Sequence, residues 1–153
     1  MTRLSPHFTL EELIVTETGL PNTPSAAVRL RLALLAQHAL EPIRRILAAP
    51  MRITSGYRSD EVNQRVGGVS SSMHRWGEAA DFVPVGLPVL TAMILIQQTQ
   101  LDLDQVILYE SRGFIHVGYS TRRPNRREYL TCTGTKRYVS FASSNVIGTT
   151  PID

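Results

Sequence analysis

A chain of 153 residues with 42% hydrophobic and 19% charged residues has the size and balance of a single soluble globular domain with a real core, and no second domain is expected. Its longest apolar runs, such as Leu32-Ala33-Leu34-Leu35-Ala36, fall far short of the roughly 20 residues a membrane span needs, and a lone cysteine, Cys132, excludes an internal disulfide. The net charge of +3 is unevenly placed, because Arg122, Arg123, Arg126, Arg127, Lys136 and Arg137 stand against only Glu128 and Asp153 in the last part of the chain.

The opening Met1-Thr2-Arg3-Leu4-Ser5-Pro6 leads into no apolar stretch of the secretory kind, so synthesis in the cytosol without a signal peptide is expected. Thr9-Leu10-Glu11-Glu12 reads as a capping box and predicts a short helix that ends by Gly19. Pro21-Asn22-Thr23-Pro24 is a turn into a long helix, with Thr23 or Ser25 as cap and Pro24 near its first position. Val28, Leu32, Leu35, Ala39 and Ile46 recur at helical spacing, with Arg29, Gln37, Arg44 and Arg45 mostly on the other side. Pro42 is expected to kink or interrupt that helix near its end. Residues 51–54 form a predicted strand, left through the turn Ser55-Gly56-Tyr57-Arg58, and residues 59–64 make one or two helical turns. Gly67-Gly68 and Ser70-Ser71-Ser72 then form a loop leading to His74.

Residues 78–83 read as a strand that turns Ala79, Asp81 and Val83 to one face and Ala80 and Phe82 to the other. After a turn at Pro84-Val85-Gly86, Pro88 opens a helix that runs to about Gln98. Two strands, 105–109 and 114–119, are joined by Ser111-Arg112-Gly113 as a hairpin.

The stretch Ser72-Met73-His74-Arg75-Trp76-Gly77-Glu78-Ala79-Ala80-Asp81 sets an imidazole and a carboxylate seven positions apart. An ionised Asp81 among apolar neighbours needs a partner or a metal to offset its desolvation. Zinc takes nitrogen and oxygen ligands, and its catalytic sites typically use three protein ligands and leave one position open. His116, set in Phe114-Ile115-His116-Val117-Gly118, is the best third ligand. His7, before the first cap, and His38, within the long helix, read as structural or exposed, and Cys132 as structural or incidental.

Ser72-x-His74-x-x-Gly77-x-Ala79-x-Asp81, preceded by Ser55-Gly56-Tyr57-Arg58-Ser59, Asn63 and Gly67-Gly68 and followed by Asp104-Gln105 and Ile115-His116-Val117, resembles the zinc D-alanyl-D-alanine peptidases. Their fold is shared with the Hedgehog signalling domain, and the chain looks most like their short branch found in phage and prophage proteins. The resemblance covers roughly residues 5–120. It implies an α+β fold with a small, mostly antiparallel sheet and helices packed around it, Zn2+ bound by His74, Asp81 and His116, and a peptidoglycan stem peptide as substrate. It assigns Arg58 to substrate binding and the oxyanion, a role that suits a planar, permanently charged fork, with Ser72 and Gln105 also on the substrate. Relatives commonly carry a general base three residues before the last ligand, where this chain has Gly113. Glu110 is the nearest acid and is taken as the proton carrier.

The expected organisation is a zinc peptidase domain over residues 1–121 and a basic C-terminal extension over 122–153 within the same single domain. The extension reads as a solvated edge hairpin around Thr133-Gly134, or as a patch attracted to the anionic wall or to phage virion proteins. Nucleic acid is not expected as a partner, because stacking aromatics are sparse among these arginines. The leading function is a monomeric peptidoglycan peptidase, carboxypeptidase or endopeptidase, acting on the cell wall after delivery by a phage or its particle. The competing reading is a non-catalytic, metal-containing wall-binding or virion domain.

Overall fold

The computed structural model describes residues 1–142; the end of the expected basic extension, residues 143–153, lies outside the described residues. Two short strands, β1 (Arg3–Ser5) and β2 (Phe8–Thr9), pair antiparallel and lead into a single helical turn, α1 (Leu10–Leu13). The capping box is present: the Thr9 hydroxyl accepts from the Glu12 N–H, and the Glu12 carboxylate reaches back to the Thr9 N–H at 2.9 Å. The helix is a single turn that stops at the Ile14 cap, well before Gly19, with Leu10 and Leu13 buried.

The long helix begins at α2 (Ala26–Leu35), capped by Ser25, whose Oγ accepts from the Val28 N–H. Pro24 therefore precedes the cap and does not open the helix. Ala36–Leu40 is a π-helical turn, and α3 (Glu41–Leu47) continues it. Pro42 thus falls in the first turn of α3; it has no N–H to give to the preceding turn, and the wider π turn just before it takes up the proline ring without ending the helix. The buried Glu41 carboxylate accepts from the Ser5 hydroxyl and the His7 N–H, at 2.8 and 2.6 Å, and ties β1 and β2 to this helix.

Six strands make one sheet: β3 (Met51–Ser55), β4 (Ala79–Pro84), β5 (Gln105–Tyr109), β6 (Phe114–Gly118), β7 (Glu128–Cys132) and β8 (Tyr138–Ser140). Their order is β3-β4-β6-β5-β7-β8. Every pairing is antiparallel except β5 with β7, so the α+β, mostly antiparallel architecture holds. The segment after residue 121 contributes β7 and β8 to this sheet, joined by a turn in which the Thr133 N–H donates to the Arg137 carbonyl.

Alternation along the strands divides the molecule. Ala80, Phe82, Val106, Leu108, Ile115 and Val117 enter one core with Leu32, Leu35, Ala39 and Ile43 of the long helix and with Ala92, Met93 and Ile96 of α5 (Val89–Thr99). Burial of each large member contributes about 1.5–3 kcal/mol. The intervening residues Asp81, Gln105, Ile107, Tyr109 and His116 face the other side, where the sheet floors a cleft.

Candidate metal centre

His74 sits in a 3₁₀ turn, Met73–Trp76, that Ser72 caps by accepting the His74 N–H at 3.3 Å. Gly77 closes the turn at φ 75°, a left-handed position, and a side chain there would press on Val28. The chain then passes directly into β4, where Asp81 lies opposite His116 of β6 in the register. This pairing, rather than the short spacing in the sequence, brings the third ligand in.

The three side chains offer one ligand atom each, all within 4.8 Å of one another. Asp81 Oδ1 lies 3.3 Å from His74 Nε2 and 2.9 Å from His116 Nδ1. The other nitrogen of His74, Nδ1, donates to the Gly56 carbonyl at 2.7 Å, which fixes the ring and turns Nε2 towards the cluster. Burial lowers the His74 pKa against the opposing pull of Asp81, favouring the neutral ring that a metal requires. Burial would raise the Asp81 pKa, but His74 and His116 outweigh it and hold the carboxyl well below the usual range. Two imidazoles and an ionised carboxylate, converging at this spacing, are a donor set that fits zinc.

Arg58 is pinned beside this centre. Its Nε donates to Ser55 Oγ at 3.1 Å, one terminal nitrogen reaches Asn63 Oδ1 at 3.5 Å, and the other lies 3.6 Å from Asp81 Oδ2. Its backbone N–H donates to the His74 carbonyl at 3.0 Å, joining the arginine loop to the histidine turn. Buried Asn22 secures that loop, donating to the Ile14 and Tyr57 carbonyls and accepting the Ser59 N–H. Burial lowers the Arg58 pKa against the pull of Asp81, and a guanidinium remains charged.

The cleft, about 870 Å³, is lined by Arg58, Ser72, His74, Asp81, Gln105 and His116 among others. Ser72 therefore both caps the turn and borders the cleft, while the Gln105 amide donates to Glu128 at 2.6 Å. Glu110, expected as proton carrier, is not among the lining residues: it is exposed beyond the end of β5, and the Gly113 N–H donates to its carbonyl. The alternation that turns Gln105, Ile107 and Tyr109 inward leaves the next position outward. No glutamate lines the cleft among the described residues.

Tyr109, overlooked in the sequence, is the inward residue at that end of β5. Its hydroxyl lies 3.1 Å from that of Tyr138, and burial together with this hydrogen bond pushes its pKa well up, so it is a neutral donor. Counting by twos from Gln105 was the signal that could have found it. Cys132 also borders the cleft, its thiol donating to the Gly134 carbonyl.

A largely buried His-Asp-His cluster at the floor of an open cleft, with a guanidinium held against its carboxylate, is a donor set of the kind that mononuclear metal-dependent hydrolases use. The sequence model of the family described as Peptidase M15 matches residues 6–118, and the chain belongs to that family, which makes it a metallopeptidase. A search of curated proteins gave no match.

Proposed function

We propose that the protein is a zinc-dependent peptidase that cuts peptide bonds in peptidoglycan stem peptides or their cross-links. The observation that carries this reading is the convergence of His74, Asp81 and His116 within 4.8 Å on the floor of a cleft that Arg58 also lines. Those three residues would hold the zinc. When bound, it supplies a Lewis acid for the scissile carbonyl and lowers the pKa of a water.

The remaining work falls to this chain's own groups. Arg58, fixed by Ser55, Asn63 and Asp81, directs a charged N–H fork into the cleft, suited to a substrate carboxylate or the oxygen on which charge develops. Tyr109, a neutral phenol, adds a hydrogen-bond donor on the same face of the sheet. A second groove, about 640 Å³, adjoins the cleft and shares Arg58, Asp81, Arg112 and Phe114 with it. A centre open on two sides favours cleavage within a peptide over removal of a terminal residue.

The position of Glu110 outside the main cleft, whose lining holds no glutamate among the described residues, favours a second reading, a metal-containing wall-binding domain without catalysis. Purified protein incubated with peptidoglycan distinguishes the two. The expected result is release of multi-residue peptide fragments, seen by mass spectrometry, that stops on chelation and returns with zinc. Release of D-alanine alone would overturn the internal-cleavage mode, and stoichiometric zinc with no released peptide would leave the binding domain.

A further inference from the structure

We propose that Arg112, in the turn between β5 and β6, is a specificity residue that holds a carboxylate of the substrate peptide beside the metal centre. This rests on the peptidase reading above and names the chemistry its cleft selects.

Arg112 lines both the main cleft and the adjoining groove. Its guanidinium carbon stands 5.0 Å from the Phe114 ring centre and 5.8 Å from that of Tyr109. Those two rings stack on each other at 4.4 Å with planes 10° apart, and the charge stands alongside this aromatic pair. The turn itself is defined, since the Arg112 and Gly113 N–H groups both donate to the Tyr109 carbonyl, at 3.2 and 2.8 Å, and Gly113 takes φ 76°. The arginine is thus posed by its surroundings.

It is also uncompensated. Of the arginines that line the cleft, Arg58 pairs with Asp81, whereas Arg112 makes no ion pair among the described residues, a property it shares with several exposed arginines outside the cleft. In the main cleft, Arg58, Arg112 and Lys136 stand against Asp81 as the sole carboxylate, and Asp81 is already engaged by two imidazoles and Arg58. With no carboxylate partner, its planar N–H fork is available to receive a carboxylate on two parallel hydrogen bonds. The substrate class is therefore a peptide with a free side-chain carboxylate close to the scissile bond.

Two peptides that differ only in whether that carboxylate is free or amidated test the proposal, using the zinc-loaded full chain. KM and kcat are read by product release, and affinity by calorimetry. Arg112→Gln is expected to raise KM and weaken binding for the free-carboxylate peptide by about 10- to 100-fold, the scale of a charged hydrogen bond, and to affect the amidated peptide far less. Arg112→Lys recovers part of the loss. The exposed Arg45→Gln serves as a charge control, and equal melting temperatures verify folding. Equal effects on both peptides, or none, overturn the proposal while the peptidase reading stands. Carboxylate-dependent binding through Arg112 without cleavage keeps it and sinks the peptidase reading; neither binding nor cleavage sinks both.

Discussion

Asp81 is the residue on which the site turns, because one oxygen faces both imidazoles and the other faces Arg58. The two halves of that carboxylate should separate under mutation. Asp81→Asn keeps the size but removes the charge that balances a dication, and near-complete loss of zinc is expected by metal analysis. Arg58→Ala leaves the three ligand atoms in place, so zinc content and melting temperature should hold while kcat/KM on released stem peptides falls by about 10² or more. Unchanged turnover in Arg58→Ala would reduce the arginine to a structural partner of Asp81, and retained stoichiometric zinc in Asp81→Asn would mean that the ligand set is different.

At the scale of elements, the connection from β3 to α4 (Asp60–Arg65) joins the first helical turn to the histidine turn. The Gly56 carbonyl accepts from His74 Nδ1, the Tyr57 N–H donates to the Leu13 carbonyl, and a Cβ on Gly56 would stand 2.2 Å from that same Leu13 oxygen. Gly56→Ala must therefore push this connection off α1 and carry the carbonyl away from His74. Zinc affinity measured by chelator competition should fall by about 10-fold or more, the range seen when a ligand's outer partner is lost, with a lower melting temperature. An affinity equal to wild type would show that His74 needs no such support. The same scale explains what was legible beforehand. The capping box at Thr9 and Glu12, the alternation of 79–83 and the hairpin of β5 and β6 are local patterns, and local patterns survive in a sequence. The parallel addition of β7 to β5 depends on a partner more than twenty residues away, and the two- and three-residue strands β1 and β2 are too short to show an alternation. Within the site, His74, Asp81 and His116 were visible as residue types in apolar strands, but the register that sets Asp81 opposite His116 was not. Nearness in sequence points to Glu110, whereas strand parity turns Tyr109 and not Glu110 into the cleft.

For the whole molecule, four of the six basic residues after residue 121, Arg122, Arg123, Arg126 and Arg127, are paired with acids of the domain. Arg122 reaches fully buried Glu78, and Arg123 and Arg126 both engage fully buried Asp104, at 2.5 and 2.9 Å. Asp104 also ties the chain before β7 to the start of β5, its backbone carbonyl accepting the Glu128 N–H at 3.1 Å. Through it the hairpin of β7 and β8, which brings Leu130, Cys132 and Tyr138 to the cleft, is fastened to the sheet. Burial alone would raise the Asp104 pKa, but the two arginines outweigh it and push it down from 3.8 to about 2. Because the folded pKa lies below the unfolded one, this carboxylate stabilises the fold fully above about pH 4, and the contribution fades as the pH falls towards 2. Asp104→Asn removes it at any pH and should cost about 2 kcal/mol at pH 7, less than a fully buried pair because both guanidiniums are partly exposed. That corresponds to a melting temperature lower by about 6 °C. The difference between variant and wild type should narrow as the pH falls from about 4 towards 2, where the wild type loses its charge and the asparagine has none to lose. A gap that stays constant over that range would assign the loss to packing, and a wild-type melting temperature at pH 7 in the variant would mean that the arginines find other partners and the hairpin is held without Asp104.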